Sequence, residues 1–228
     1  MSQRFFVETP IGDAARLTDA EAQHLVKVMR AKVGDDVTLF DGTGWEFSGR
    51  ISGIGKSAVD LDIVERRQVD RELRHSLTLA VSLPKGDRQK VLVEKLVELG
   101  VTRLVPLETQ RSVAEATPAA LIRLRRQVIE ASKQCGRNRL MEIGEPQSLE
   151  QTLAQTPAAL RRVLAHPSGE PIKEIAVEPA VVAVGPEGGF TDEEVALAES
   201  AGWEIVALGP RILRVETAAI ALAALLAK

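Results

Sequence analysis

The pattern of apolar and polar positions changes once along the chain. Between residues 33 and 64, apolar residues alternate with polar ones in VTLF, WEFSGRI and AVDLDIV, which predicts three β-strands. Asp41-Gly42-Thr43-Gly44 separates the first two and is a hairpin signal. Upstream, TDAEAQHLVKVMR puts Leu25, Val28 and Met29 on one face of a short helix, and Thr18 and Glu21 have the spacing of a capping box. The charged run ERRQVDRELR at 65–74 reads as a linker. From residue 76 the strands SLTLAVS, RLVPL, RLMEI, RVLA, AVVAVG and WEIVALG alternate with helical segments, the last being ETAAIALAALLA. That alternation predicts a mostly parallel sheet with helices on both faces. The reading is an α/β chain in two parts, a β-rich domain over 1–72 and an α/β domain over 73–228.

Composition narrows the function. The 228 residues are 45% hydrophobic and 27% charged, with a net charge of −3, which suits a chain with a sizeable core and excludes disorder. The single cysteine, Cys135, excludes an intrachain disulfide framework, and with His24, His75 and His166 scattered no metal site is expected. The start MSQRFFVETP carries no signal-peptide run. The longest apolar stretch, AAIALAALLA at 218–227, is about half the roughly twenty residues a bilayer requires. A soluble cytoplasmic protein without a membrane partner is expected. Aromatics are only 3%, which argues against an RNA reader built on base stacking. The net charge is uneven: residues 1–72 hold 10 basic and 13 acidic side chains, residues 73–228 hold 19 of each. Within the neutral part, 111–139 has seven basic residues against two acidic, so the acidic total does not exclude RNA.

Two segments carry candidate chemistry. In AVVAVGPEGGFTDEEV a buried strand runs into Gly185, Pro186, Glu187, Gly188 and Gly189, and a helix follows with Thr191 and Glu194 spaced as a capping box. Glycine-rich loops at the carboxyl ends of parallel strands are where open α/β sheets bind ligands. No Lys-Ser/Thr follows, and Pro186 removes an N–H that a phosphate cradle would use. In EIVALGPRILRVETAAIAL a second strand ends in Gly209-Pro210, with Arg214 and Glu216 at the start of the last helix. These two are either a surface arginine and a helix-start glutamate or a charge pair lining a pocket. His166 sits in a third polar turn after a strand, as an exposed turn residue or a ligand contact.

VGPEGGF together with LGPRILRVETA resembles the SPOUT superfamily of methyltransferases. With RFFV at 4–7, HLVKVMR at 24–30, LPKGDRQKVLVEKLVELGV at 83–101 and SKQCGRNRL at 132–140, the chain is similar over nearly its whole length to the small-subunit rRNA uridine-N3 methyltransferase family, RsmE. The resemblance implies an N-terminal PUA-like β-barrel and a SPOUT α/β domain with a trefoil knot and the cofactor site within about 160–228. It implies S-adenosyl-L-methionine held by Leu164, Ala165 and His166, by Val184, Gly185, Pro186, Glu187, Gly188 and Gly189, and by Leu208, Gly209, Ile212 and Leu213. It implies a homodimer acting on 16S rRNA or the small ribosomal subunit. Arg214 then stabilises negative charge on a uracil carbonyl oxygen, while Glu216 or Glu187 takes the N3 proton or orients the base. Arg4 and Arg30 are candidate RNA contacts in the first domain, and Arg111, Lys133, Gln134, Arg137, Asn138 and Arg139 are candidates in the basic segment. Cys135 reads as a small packing residue. Competing readings keep the cofactor but methylate a ribose 2′-hydroxyl or another base, or make the chain a non-catalytic rRNA-binding assembly factor, or a small-molecule enzyme.

Overall fold

The computed structural model describes residues 4–172 and 177–227. The chain forms two compact units, Met1–Glu72 with Ser132–Leu140, and Leu73–Ala131 with Met141–Lys228.

In the first unit, β1 (Arg4–Phe6), β2 (Ala14–Thr18), β3 (Asp36–Phe40), β4 (Trp45–Ile54) and β5 (Ala58–Gln68) form one sheet in the order β1-β3-β4-β5-β2. All neighbours are antiparallel except β1 and β3. The two edge strands do not pair with each other, so the PUA-like barrel is open. Alternate residues Leu17, Val37, Leu39, Phe47, Ile51, Val59 and Leu61 face a single core, which Phe5 and Leu25 complete. The expected hairpin turn at Asp41–Gly44 is made, with Asp41 Oδ1 accepting from the Thr43 N–H at 3.1 Å. The expected helix is shorter and less regular: α1 (Asp19–Gln23) runs into a π-wound turn at His24–Val28. Thr18 makes no side-chain cap. Glu21 reaches Lys133 Nζ instead, at 2.7 Å, because an ion pair with a partly buried lysine outcompetes a weak helix-end bond.

The segment 132–140, expected in the second domain, belongs with the first unit. Gly136 turns the chain at φ +87°. Arg71 donates to its carbonyl at 2.8 Å. The Asn138 carbonyl accepts from Gly44 N–H at 3.1 Å, and its Nδ2 donates to the Val69 carbonyl at 3.2 Å. Arg4 bonds Glu46, the Asn138 side chain and the Arg137 carbonyl, and Arg137 pairs with Glu72.

In the second unit the strands are β6 (Leu77–Val81), β7 (Arg103–Glu108), β8 (Glu142–Ile143), β9 (Gln147–Ser148), β10 (Arg161–Pro171), β11 (Ala180–Val184) and β12 (Glu204–Ala207). The helices are α2 (Arg88–Glu98), α3 (Pro118–Cys135, of which the last four residues fall in the first unit), α4 (Leu149–Gln155), α5 (Asp192–Ser200) and α6 (Val215–Leu226). The sheet order is β12-β10-β11-β6-β7-β8, with β9 beside β7, and every pairing is parallel. Ala80, Leu164, Val181 and Ala183 pack with Leu149, Leu153, Val195 and Ala198 of α4 and α5. The alternate residues Leu79, Val163 and Val182 are fully buried on the opposite face, where α6 packs on β6, β11 and α2. β11 is buried at all five positions, as a central parallel strand requires. No helix among the described residues is long and apolar enough to cross a membrane.

Candidate functional site

β11, β10 and β12 are neighbours, so their carboxyl ends bring three loops together. After β11 the chain turns at Gly185. A Cβ there would lie 3.0 Å from the buried Phe190 ring, so the ring closes over the glycine and folds the loop back. The turn is closed by Gly189 N–H donating to the Pro186 carbonyl at 2.9 Å. Thr191 and Glu194 then form the expected capping box at the start of α5. β10 is longer than expected and irregular. Its pairing with β12 slips between Ala165 and Glu170, and a Cβ on Gly169 would lie 2.5 Å from the Ile205 carbonyl group. That backbone-on-backbone approach pushes out a bulge carrying His166 and Pro167. After β12 the third loop runs through Gly209 to Arg214, the N-cap residue of α6.

The three loops line one cleft. It contains the expected residues Ala165, His166, Val184, Gly185, Pro186, Glu187, Gly189, Leu208, Gly209, Ile212 and Leu213. Leu164 is fully buried in β10 beneath it, and Gly188 lies against Arg111. Arg211, within the expected third loop, also lines it, as do Pro167, Phe190, Val206, Val215 and Ala218, which the motifs did not single out. The walls are mainly apolar. Glu187 is the one carboxylate among the described lining residues. Open space lies where Gly189 and Gly209 would carry a Cβ. Such a cleft suits a ligand with an apolar ring, main-chain hydrogen bonds and a cationic centre.

The two candidate carboxylates share a partner that the motifs did not reveal. Arg88, the first residue of α2, lies 2.8 Å from Glu187 Oε1 and 3.8 Å from Glu216 Oε2. Glu216 is buried, and its Oε2 has no hydrogen-bond partner among the described residues. Arg214 is exposed between the lining residues Leu213 and Val215 and makes no side-chain cap. Of the two readings, the Arg214–Glu216 charge pair is not formed. The helix-start glutamate turns to Arg88, and Arg214 makes no ion pair among the described residues. LPKGDRQ, the turn that begins α2, was the available sequence signal for Arg88.

Several of the expected RNA contacts are engaged within the protein. Arg4, Arg137 and Asn138 are 9%, 4% and 2% exposed and are engaged with one another, Glu46 and Glu72 within the first unit. Burial lowers the Arg4 guanidinium below its usual value despite the Glu46 bond. Burial would raise the Glu46 carboxyl, but Arg4 and Arg71 hold it below the ordinary carboxylate value. Lys133 is engaged with Glu21. Arg111 donates to the Gly188 carbonyl at 2.8 Å and to that of Phe190 at 3.4 Å, so it braces the glycine loop. Arg30, Gln134 and Arg139 are exposed. The charge run misled because charge counts do not separate paired arginines from free ones.

The sequence pattern of an RNA methyltransferase domain matches residues 71–227, and that of an RNA methyltransferase PUA domain matches 17–64. The chain is 33% identical to ribosomal RNA small subunit methyltransferase E of Synechocystis sp., covering 89% of this chain and 69% of that protein. It is 30% identical to the Bacillus subtilis protein of the same name, covering 95% and 92%. The crystal structure of ribosomal RNA small subunit methyltransferase E from Neisseria gonorrhoeae bound to S-adenosyl methionine superposes with a TM-score of 0.90 at 31% identity, covering 98% and 96%. A cleft made by three strand-end loops on a parallel sheet of this order agrees with these likenesses: the chain belongs to the RNA methyltransferase family of ribosomal RNA small subunit methyltransferase E.

Proposed function

We propose that this chain transfers a methyl group from S-adenosylmethionine to N3 of a uridine in small-subunit rRNA. The observation that carries the reading is the apolar cleft with Glu187 as its single described carboxylate and the exposed Arg214 at its edge. The bound cofactor supplies an electrophilic methyl group on a sulfonium. The loops of β10 and β12 offer main-chain groups to its adenine, with Ile212 and Leu213 as apolar cover. Glu187 faces the cation.

Uracil N3 carries a proton at neutral pH and becomes nucleophilic once it leaves. Arg214 stabilises the charge this places on a uracil carbonyl oxygen. Of the two candidate carboxylates, Glu187 lines the cleft and is assigned the proton, while Glu216 anchors Arg88. Holding the two reactants in line supplies much of the rate. The exposed cations Arg30 and Arg139 of the first unit, and Arg211 and Arg214 of the second, are assigned to RNA. A knotted path through the three loops and a homodimer belong to the same reading. The half-buried Ile220, Ala221 and Leu225 on α6 favour self-association.

The test is transfer of a labelled methyl group to small-subunit rRNA, free or assembled, followed by nucleoside analysis. The expected product is 3-methyluridine. A 2′-O-methylated nucleotide, another methylated base, or cofactor binding without transfer would refute the assignment.

A further inference from the structure

Arg88 has a geometry that no role assigned so far requires. About a third of its side chain is exposed, at 34%, yet its guanidinium lies between two carboxylates on different elements. Glu187 meets it from the cleft loop at 2.8 Å. Glu216 meets it from the first turn of α6 at 3.8 Å, through a buried oxygen with no hydrogen-bond partner among the described residues. A buried, unbonded carboxylate oxygen is tolerated only beside a counter-charge, so Glu216 keeps Arg88 where it is.

We infer that Arg88 sets the charge of the cleft: anchored by Glu216, it offsets Glu187 and thereby fixes how strongly the site prefers a cationic sulfonium to the neutral thioether left after methyl transfer. The inference rests on the proposed use of S-adenosylmethionine. In the reaction the methyl carbon forms its bond to N3 as its bond to sulfur breaks. Sulfur keeps that electron pair and becomes a thioether, and N3 has lost its proton to the base. Positive charge on sulfur is therefore already dispersing in the transition state. A free Glu187 carboxylate beside the sulfonium would stabilise the bound cofactor more than that transition state, in which Glu187 holds the N3 proton and the sulfur charge is dispersing, and so would slow the step. Arg88 limits this, and it narrows the difference in affinity between cofactor and product.

Calorimetry with S-adenosylmethionine and S-adenosylhomocysteine tests it by binding alone. Arg88→Gln is expected to raise the preference for the cation by about three- to fivefold, the effect of one partly exposed charge pair. Glu187→Gln, which leaves Arg88 uncompensated, lowers the preference by a similar factor. Arg88→Lys keeps it within about twofold, since the charge is retained. In the Glu187→Gln background, Arg88→Gln raises the preference back toward that of the wild type. An unchanged preference in both Arg88→Gln and Glu187→Gln would overturn the inference while leaving the cofactor reading intact. A wild-type chain that binds neither ligand would overturn the cofactor reading, and this inference with it.

Discussion

Arg111 Nη1 donates to the carbonyl oxygen of Gly188 at 2.8 Å, across 77 positions of sequence. The contact is tight on both sides: a Cβ on Gly188 would lie 3.3 Å from the Arg111 side chain. The neighbouring Gln110 N–H donates to Glu194 Oε1 at 2.9 Å, so the loop after β7 is fastened to the end of the glycine loop and to the first turn of α5. Arg111→Ala should weaken S-adenosylmethionine binding about five- to tenfold, the loss of roughly one charge-assisted hydrogen bond that organises the loop. Calorimetry measures this. The salt dependence of RNA binding should be unchanged. A slope reduced by about one phosphate contact would identify Arg111 as an RNA ligand instead.

Gly185 is required by the Phe190 ring rather than by its backbone angles. A methyl group there must displace the ring or the strand end, at about 1–3 kcal/mol for overpacking. Gly185→Ala should therefore abolish measurable cofactor binding with a modest fall in Tm. Gly185→Ala combined with Phe190→Leu, which makes room, should recover part of the binding.

Arg137 is 4% exposed and paired with Glu72. Removing one partner of a buried pair costs about 3–5 kcal/mol, because the other charge is left uncompensated. Arg137→Ala should lower stability by that order in urea denaturation. A variant of unchanged stability with weaker RNA binding would restore Arg137 to the RNA surface.

The carboxyl of Glu46 is held below its ordinary value in the folded chain. Such a group stabilises the fold at every pH above its unfolded value and loses that contribution as pH falls through the lower folded one. Glu46→Gln should be less stable than the wild type at neutral pH by about 1–3 kcal/mol. The gap should begin to narrow below about pH 4.3, the usual glutamate value, and close as pH falls through the lower folded value. Denaturant midpoints between pH 7 and pH 3 give the comparison.

Much of this was legible in the residues. Alternation predicted β3, β4 and β5, the strand–helix rhythm predicted the parallel sheet, and the Thr191–Glu194 spacing predicted a cap that is made. These signals are local, and the forces behind them act within a few residues. What was missed depends on distant partners. The Thr18 cap lost Glu21 to Lys133, more than a hundred residues away. The bulge in β10 exists because Gly169 meets the backbone of β12, and no periodicity within RVLAHPSGEP reports on Ile205. Glu216 read either as a helix-start glutamate or as a partner for its sequence neighbour Arg214, whereas its counter-charge begins a helix 128 residues earlier.

The return of residues 132–140 to the first unit has a consequence for how the chain is made. The five strands of that unit are complete by Gln68, yet Arg137 and Asn138, which neutralise Glu72 and bond Arg4, come only after residues 73–131. At a synthesis rate of about 5–20 residues per second, those 59 intervening residues take roughly 3–12 s. During that interval the nascent first unit carries Arg4 and Glu72 without their later partners. Its final consolidation is therefore a late event of translation, coupled to the appearance of α3 at the ribosome exit.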